Sequence, residues 1–362
     1  MKIKNIFEQV NLGGLHLKNR IVRSSTVEFL TNEDFTLTPE LLKIYEDLAD
    51  GEIGLIITAA IAPTNMDYRD VRTMRINNDS FIPELKKITD IVHNKDGKIM
   101  AQIGVIGSTT LTPKNDYDKQ GPSEVKDIVT GLLNKAMTLE DINAIQIDCA
   151  NASLRLKEAG FDGIQLQCAH GYLFNQFLSP YYNKRTDQYG GNFLNRARFI
   201  LETVTRIKVK VGNDFPLFIK MNCSDFFEEN GFDFECCKET VKIFQGSGID
   251  AIELSGGAAG GKKRTIQNKI HSYESEGYFS FYAVELGKIA SIPIISVGGY
   301  RSLEKIEDVL QNKNIEAISL SRPFISEPHL VKRWSLGDTN KSRCLSCTKC
   351  FNLNGIKCIL NN

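Results

Sequence analysis

Three side chains that can donate hydrogen bonds or exchange protons stand close together near the middle of the chain. Gln167, His170 and Tyr172 fall within six positions, directly after the apolar run 163–166. A run of that kind predicts a buried strand of a parallel sheet. In α/β barrels, polar groups just past the carboxyl ends of such strands form the active site. The spacing therefore predicts a small polar site that acts on a small-molecule substrate.

The cysteines near the end of the chain form a second cluster with chemical potential. Cys344, Cys347, Cys350 and Cys358 give the pattern C-x2-C-x2-C-x7-C, which places four thiols within fifteen residues. Thiolates at this spacing suit tetrahedral zinc or an iron–sulfur cluster. Free thiols remain the alternative, because the fourth cysteine lies farther along the chain than in a ferredoxin-like run.

Eight short apolar runs, most of them followed by amphipathic stretches, have to position these groups. Near-continuous apolar runs are typical of parallel strands that are buried on both faces. Eight strand–helix units predict an α/β fold, a (β/α)8 TIM barrel. The runs cover residues 21–26, 54–60, 98–104, 163–167, 216–222, 251–255, 293–298 and 317–321.

Three segments fall outside this repeating unit. Residues 9–18 alternate around Gly13 and Gly14, which predicts an N-terminal hairpin on the barrel floor. Residues 105–141 form a long polar stretch, which predicts a lid or a binding element. The chain ends in a short cysteine-rich tail. We therefore expect two parts, a barrel of residues 1–336 and a tail of residues 337–362.

The last two predicted strands end in small or polar residues. Gly298 ends the seventh run and Gly299 follows it. Ser321 ends the eighth run and Arg322 follows it. In barrels, the loops after strands seven and eight commonly bind phosphate. Glycines let backbone N–H groups approach a phosphate closely, and an arginine adds a bidentate charged contact. The pair predicts a phosphate site, against the alternative of two ordinary turns with a surface arginine.

Composition argues against several other classes of partner. The 362 residues carry 44 basic and 44 acidic side chains, so nothing points to nucleic acid or to an anionic membrane surface. No apolar run approaches the roughly 18 residues needed to span a bilayer. The N-terminal segment lacks the apolar core and cleavage site of a signal peptide. We expect a cytoplasmic protein, and a homo-oligomer stays open.

With these motifs in order, the sequence resembles the old yellow enzyme family of flavin-dependent ene-reductases. The resemblance runs from LKNRIV at residues 17–22 to SRPFISEP at 321–328 and is strongest over residues 161–199. It implies a (β/α)8 barrel that binds FMN at the carboxyl ends of its strands. The residues that it places against FMN are Ser24, Ser25, Thr26, Ala60, Gln102, Lys220, Gly298, Gly299, Ser321 and Arg322.

The resemblance gives two of these residues particular roles. It puts Gln102 at the pyrimidine edge of the flavin and Lys220 near N1 and O2, where a cation stabilises the charge of the reduced flavin. A lysine buried in the barrel without an anionic partner would be costly, and the flavin would supply that partner. The alternative is an ion pair between Lys220 and an acidic residue of the barrel.

The resemblance also assigns the catalytic groups. Gln167 and His170 take the positions that hydrogen-bond the oxygen of an α,β-unsaturated carbonyl substrate, and Tyr172 takes that of the proton donor to the α-carbon. The first position is normally His, and a Gln amide can donate a hydrogen bond but cannot become cationic. Core packing remains the alternative for both His170 and Tyr172.

We therefore predict an FMN-dependent oxidoreductase that passes hydride from NAD(P)H through the flavin to an activated carbon–carbon double bond. The cysteine run resembles that of larger relatives similar to 2,4-dienoyl-CoA reductase, which carry a [4Fe–4S] cluster there. The alternative function is a flavin and iron–sulfur electron-transfer subunit that works with a separate partner. A third alternative is a flavin-free barrel of the aldolase or isomerase type.

Overall fold

A computed structural model describes residues 3–64, 72–108, 119–128 and 131–361. Within them, eight parallel strands close into a barrel, in the order β6-β7-β8-β1-β2-β3-β4-β5. The closed parallel barrel confirms the predicted (β/α)8 fold. The strands are β1 (Ile21–Arg23), β2 (Leu55–Ile61), β3 (Ile99–Ile103), β4 (Gly163–Cys168), β5 (Leu217–Asn222), β6 (Ala251–Ser255), β7 (Ile294–Val297) and β8 (Ile315–Leu320).

The apolar runs become strands because nearly every residue in them is buried, with the barrel interior on one face and helices on the other. Each predicted strand overlaps one strand of the barrel, so all eight predictions are confirmed. The ends differ by a few residues. The largest difference at a start is in β8, which begins at Ile315 rather than at residue 317.

Helices surround the barrel, and capping residues in the sequence fix where some of them begin. A capping box between Thr138 and Asp141 begins the helix Leu139–Glu158. The side chain of Thr38 likewise accepts a hydrogen bond from the backbone of Leu41 at the start of α1. The helices are α1 (Pro39–Asp50), α2 (Ile82–His93), α3 (Leu139–Glu158), α4 (Leu173–Leu178), α5 (Phe193–Val211), α6 (Phe234–Phe244), α7 (Ser280–Gly287), α8 (Leu303–Leu310), α9 (Arg322–Ser326) and α10 (Leu330–Ser335).

The N-terminal hairpin closes the amino end of the barrel, as predicted. Val10–Leu12 pairs with Leu15–Leu17 in antiparallel register. Its leucines pack against Phe218 and other side chains of the barrel interior. Gly13 sits at φ +54°, and a Cβ atom there would lie 2.7 Å from the carbonyl oxygen of Asp250. A side chain at that position would therefore prevent the hairpin from seating.

The long segment 105–141 is described in part. Residues 109–118 and 129–130 lie outside the described residues, and the flanking parts form a short pairing of Gln120–Gly121 with Lys135–Ala136. The predicted lid stays a prediction. Among the described residues, no helix is both long enough and apolar enough to cross a membrane.

The cysteine-rich tail packs across the carboxyl end of the barrel. The backbone N–H of Ile356 donates to the carbonyl oxygen of Glu28 at 2.8 Å. The ring of Phe351 lies edge-on to Phe29, with 5.3 Å between ring centroids. The tail thus contacts the loop after β1, and the predicted division into two parts at residue 336 stays a prediction.

Candidate active site

One cavity of about 260 Å³ opens at the carboxyl ends of the barrel strands. Every residue predicted to bind FMN or to act in catalysis lines this cavity, although these residues come from seven of the eight strands and their loops. The structure therefore brings the whole predicted set together. Sequence reasoning missed further lining residues, namely Ser255, Tyr278 and Ser319 from the barrel and Ser346, Thr348, Phe351 and Ile356 from the tail.

The predicted catalytic residues leave β4 through a tight reversal of the chain. Gln167 lies within the strand, and the backbone then turns through His170 at φ +64° and Gly171 at φ +83°. Tyr172 directly precedes α4. A positive φ is uncommon for histidine, so surrounding contacts must hold this turn.

Two asparagines and an aspartate provide those contacts. The Oδ1 atom of Asn222 accepts from the backbone N–H of His170 at 3.2 Å, and Oδ1 of Asn175 accepts from that of Gly171 at 2.7 Å. Both asparagine amides donate to Oδ1 of Asp225, at 2.9 and 3.1 Å. Burial raises the pKa of Asp225, although these donors work against the shift. The turn is thus fixed by a buried polar cluster rather than by its own sequence.

The imidazole of His170 lines the cavity, and one of its two nitrogen atoms has a hydrogen-bond partner in the protein. Its Nε2 atom lies 2.8 Å from the hydroxyl oxygen of Ser255, the last residue of β6. Burial, together with repulsion from the charge of Lys220, holds the pKa of His170 well below its ordinary value. The ring is therefore neutral at neutral pH. Burial also raises the pKa of Tyr172 to about 12, so its phenol keeps its proton.

Three residues that line the cavity each have a buried polar atom without a hydrogen-bond partner among the described residues, and these atoms test whether FMN fits. The atoms are Oε1 of Gln167, Nε of Arg301 and Nη1 of Arg322. An unpaired buried polar atom costs about 1–3 kcal/mol, so such atoms mark places where a ligand completes the structure. Nη1 of Arg322 is a donor and suits a phosphate. Oε1 of Gln167 is an acceptor and suits a ligand N–H or O–H, whereas the predicted contact with a substrate carbonyl oxygen would use the NH2 group of this amide. The roles of both residues stay predictions.

The two glycines that line the cavity together with Arg322 leave room for a ligand to approach the protein backbone. Gly298 and Gly299 adopt φ values of +145° and +77°, which disfavour side chains. A Cβ atom on Gly299 would lie 2.5 Å from the ring of Tyr278. This cradle could not exist with larger residues, and it fits a phosphate held by backbone N–H groups.

Lys220 has an anionic partner in the protein itself. Its Nζ atom lies 3.3 Å from Oε1 of Glu253, at the paired position of the neighbouring strand β6, and both side chains are almost fully buried. The ion pair named above as the alternative is therefore present. The expectation that the flavin must supply the anionic partner was wrong, because Glu253 does so. The assignment of Lys220 to the flavin edge stays a prediction, and Lys220 does line the cavity.

The four cysteines of the tail line one further, much smaller cavity of about 10 Å³. All four are free thiols. Burial raises the pKa of the Cys350 thiol, and the neighbouring Cys344 adds to the shift while Arg322 opposes it. Among the described residues, no group of three or more possible ligands is arranged to hold a metal ion. Zinc or an iron–sulfur cluster at these cysteines stays a prediction.

The site is a cavity at the carboxyl ends of a closed parallel barrel, lined by the two glycines, Arg322, Gln102 and Lys220. Residues 5–339 match the family described as NADH:flavin oxidoreductase / NADH oxidase. The chain belongs to this family. Membership confirms the resemblance to old yellow enzymes and indicates FMN as the cofactor.

Individual relatives agree with this membership. The chain is 32% identical to an NADH oxidase of Thermoanaerobacter brockii, over 95% of this chain and 52% of that protein. It is 31% identical to an NADPH dehydrogenase of Bacillus velezensis, over 91% of this chain and 94% of that protein. A solved structure of morphinone reductase matches with a TM-score of 0.75 and 26% identity, over 93% of this chain and 91% of that one. The chain thus spans about half the length of some curated relatives and nearly all of others.

Proposed function

We propose that this protein is an FMN-dependent oxidoreductase that takes hydride from NAD(P)H and transfers it to an activated carbon–carbon double bond. The substrate class is an α,β-unsaturated carbonyl compound. The observation that carries the proposal is that one cavity collects the predicted residues, with the donor Nη1 of Arg322 buried and without a hydrogen-bond partner among the described residues. The names of two similar proteins, an NADPH dehydrogenase and a morphinone reductase, describe activities of the same class.

In this proposal, bound FMN would supply the chemistry of hydride transfer between the nucleotide and the substrate. Arg322 and Ser321 would hold its phosphate together with the backbone of Gly298 and Gly299. Gln102 would hold the pyrimidine edge of the ring. The small side chain of Ala60 leaves space in the cavity wall, and the segment Ser24, Ser25 and Thr26 supplies backbone and hydroxyl contacts.

Substrate binding falls to Gln167 and His170. The NH2 group of Gln167 and the neutral ring of His170 donate hydrogen bonds to the carbonyl oxygen, which stabilises the negative charge that develops there as the β-carbon is reduced. Ser255 fixes the orientation of the His170 ring through Nε2. The phenol of Tyr172 keeps a proton on its oxygen and delivers it to the α-carbon.

A spectroscopic experiment tests the proposed function. Purified protein reconstituted with FMN should show the visible absorption of oxidised flavin, and anaerobic NADH or NADPH should bleach it. Anaerobic addition of cyclohexenone should then restore the oxidised spectrum. Flavin that is bound and reduced but never reoxidised by the enone would contradict the substrate class, and a protein that binds no flavin would contradict the proposal as a whole.

The lowered pKa of His170 gives a pH prediction for the same site. Since the ring is neutral at neutral pH, no proton should leave it between about pH 6 and about pH 8. We therefore expect the affinity for a phenol whose own pKa lies well above this range to be the same at every pH within it. The flavin spectrum reports the binding. An inflection near pH 6.5, absent in His170→Gln, would show that the ring titrates normally and is exposed to water.

The tail cysteines support a second candidate function, an electron-transfer subunit with an iron–sulfur cluster and a separate redox partner. In its favour, all four thiols line one cavity, and Arg322 and Cys350 line both that cavity and the larger one. Iron and acid-labile sulfide analysis of protein purified without oxygen decides the matter. A preparation with flavin and no labile sulfide would exclude the cluster. A cytoplasmic location and a homo-oligomer stay predictions.

A further inference from the structure

Glu253 lies one layer beneath the cavity and binds the side chains that line it. Its side chain is fully buried in β6. Oε1 accepts from the hydroxyls of Ser24 and Ser319 at 2.7 and 2.8 Å and faces Nζ of Lys220 at 3.3 Å. Oε2 accepts from the amide of Gln165 at 3.0 Å. One carboxylate thus joins four strands and the loop after β1, immediately below the proposed flavin edge.

The carboxylate is ionised in this setting. Burial disfavours its charge, yet the charge of Lys220 and the hydrogen bonds from Ser24, Ser319 and Gln165 outweigh burial and lower the pKa of Glu253. Lys220 also donates to the hydroxyl of Ser24 at 2.7 Å. A ligand above Lys220 therefore meets an ion pair rather than an isolated cation, and the attraction for negative charge is weaker.

The carboxylate also sets the direction of a chain of amides. Because an ionised carboxylate can accept but not donate, Gln165 must turn its NH2 group toward Glu253. The carbonyl of Gln165 then accepts from Nε2 of Gln102 at 2.7 Å. The carbonyl of Gln102 is left facing Ser25, whose hydroxyl donates to it at 3.0 Å. Gln102 therefore presents an acceptor at the cavity wall.

We infer that Glu253 is a positioning residue that sets the reduction potential of the bound flavin. It does so by partly neutralising Lys220 and by orienting the amides of Gln165 and Gln102. The inference rests on the proposed function, in which Lys220 and Gln102 face the pyrimidine end of FMN. Glu253 itself does not line the cavity.

The test compares FMN potentials in wild type and in Glu253→Gln. Removing the negative charge leaves Lys220 free to stabilise reduced, anionic flavin. The ratio of affinities for reduced and oxidised FMN should rise about tenfold, which for a two-electron couple is a shift of about 30 mV to a more positive potential. Anaerobic titration with a reference dye measures it without reference to catalytic activity.

A matched control is Asp250→Asn, which breaks a similar ion pair at the amino end of the same strand. Asp250 pairs with Lys208 at 2.8 Å, far from the cavity lining. The reduction potential of FMN bound to Asp250→Asn should stay at the wild-type value. An equal shift in Asp250→Asn and Glu253→Gln would assign the effect to net charge and overturn the inference.

Ser319→Ala keeps the inference testable if Glu253→Gln does not fold. Loss of the hydroxyl donor leaves the carboxylate less compensated, so the potential should move the other way, to a more negative value. If the FMN potential were unchanged in every variant that folds and binds FMN, the inference about Glu253 would be overturned and the proposed function would stand. Failure of wild-type protein to take up FMN would overturn the proposed function and the inference with it.

Discussion

Replacing Arg322 with alanine should weaken FMN binding about 100-fold, or by about 3 kcal/mol. Nη1 of this side chain is buried and has no partner among the described residues, so it is available for a charged hydrogen bond to the phosphate. The measurement is a fluorescence titration of the flavin-free protein with FMN. Riboflavin, which has the same ring without the phosphate, should bind wild type and Arg322→Ala with equal affinity.

The riboflavin comparison separates a phosphate contact from general damage to the cavity. Arg333→Ala serves as the control variant, because that arginine pairs with Glu327 at 2.6 Å outside the cavity. Its FMN affinity should match wild type. If Arg322→Ala lowered the affinities for FMN and riboflavin by the same factor, the phosphate would have to be held elsewhere.

Replacing His170 with alanine should slow flavin reoxidation by cyclohexenone about 100-fold, the usual cost of one lost donor to a developing oxyanion. FMN should remain bound, because the phosphate cradle is at a different part of the cavity wall. Reduction by NAD(P)H should be close to wild type, so stopped-flow measurement of the two half-reactions isolates the effect. Binding of phenolic ligands should weaken in parallel.

His271→Ala, which removes an exposed histidine, is the matched control and should react like wild type. Gln167→His provides a complementary test, since it restores the residue that the family normally has at this position. Faster enone reduction in Gln167→His and slower reduction in His170→Ala would agree with a shared anchoring role. Unchanged turnover in His170→Ala would assign that histidine to packing.

The barrel could be predicted from the sequence because its strands are buried on both faces. Near-continuous apolar runs such as 54–60 then stand out from the amphipathic helices around them. The chemistry at the strand ends could also be predicted, because Gly298, Gly299 and Arg322 follow runs seven and eight. Their convergence in one cavity follows from the closed barrel, which brings the carboxyl ends of all strands together.

The layer below the cavity could not be predicted in the same way. Glu253 is one polar residue in an otherwise ordinary strand, and nothing local indicates that it faces Lys220 from the neighbouring strand. Two of the partners of the His170 turn are equally distant in sequence, since Asn222 ends β5 and Asp225 follows it. Such contacts depend on the register between strands, which apolar runs alone do not encode.

The placement of the tail has a consequence for how the protein assembles. Cys350 and Arg322 each border both the small cavity lined by the four cysteines and the larger cavity, so they form part of the wall that the two cavities share. A phosphate bound at Arg322 would restrict the motion of the thiols behind this wall, and an atom bound by the thiols would restrict the wall beside the phosphate. We therefore expect that a ligand bound in either cavity favours binding in the other.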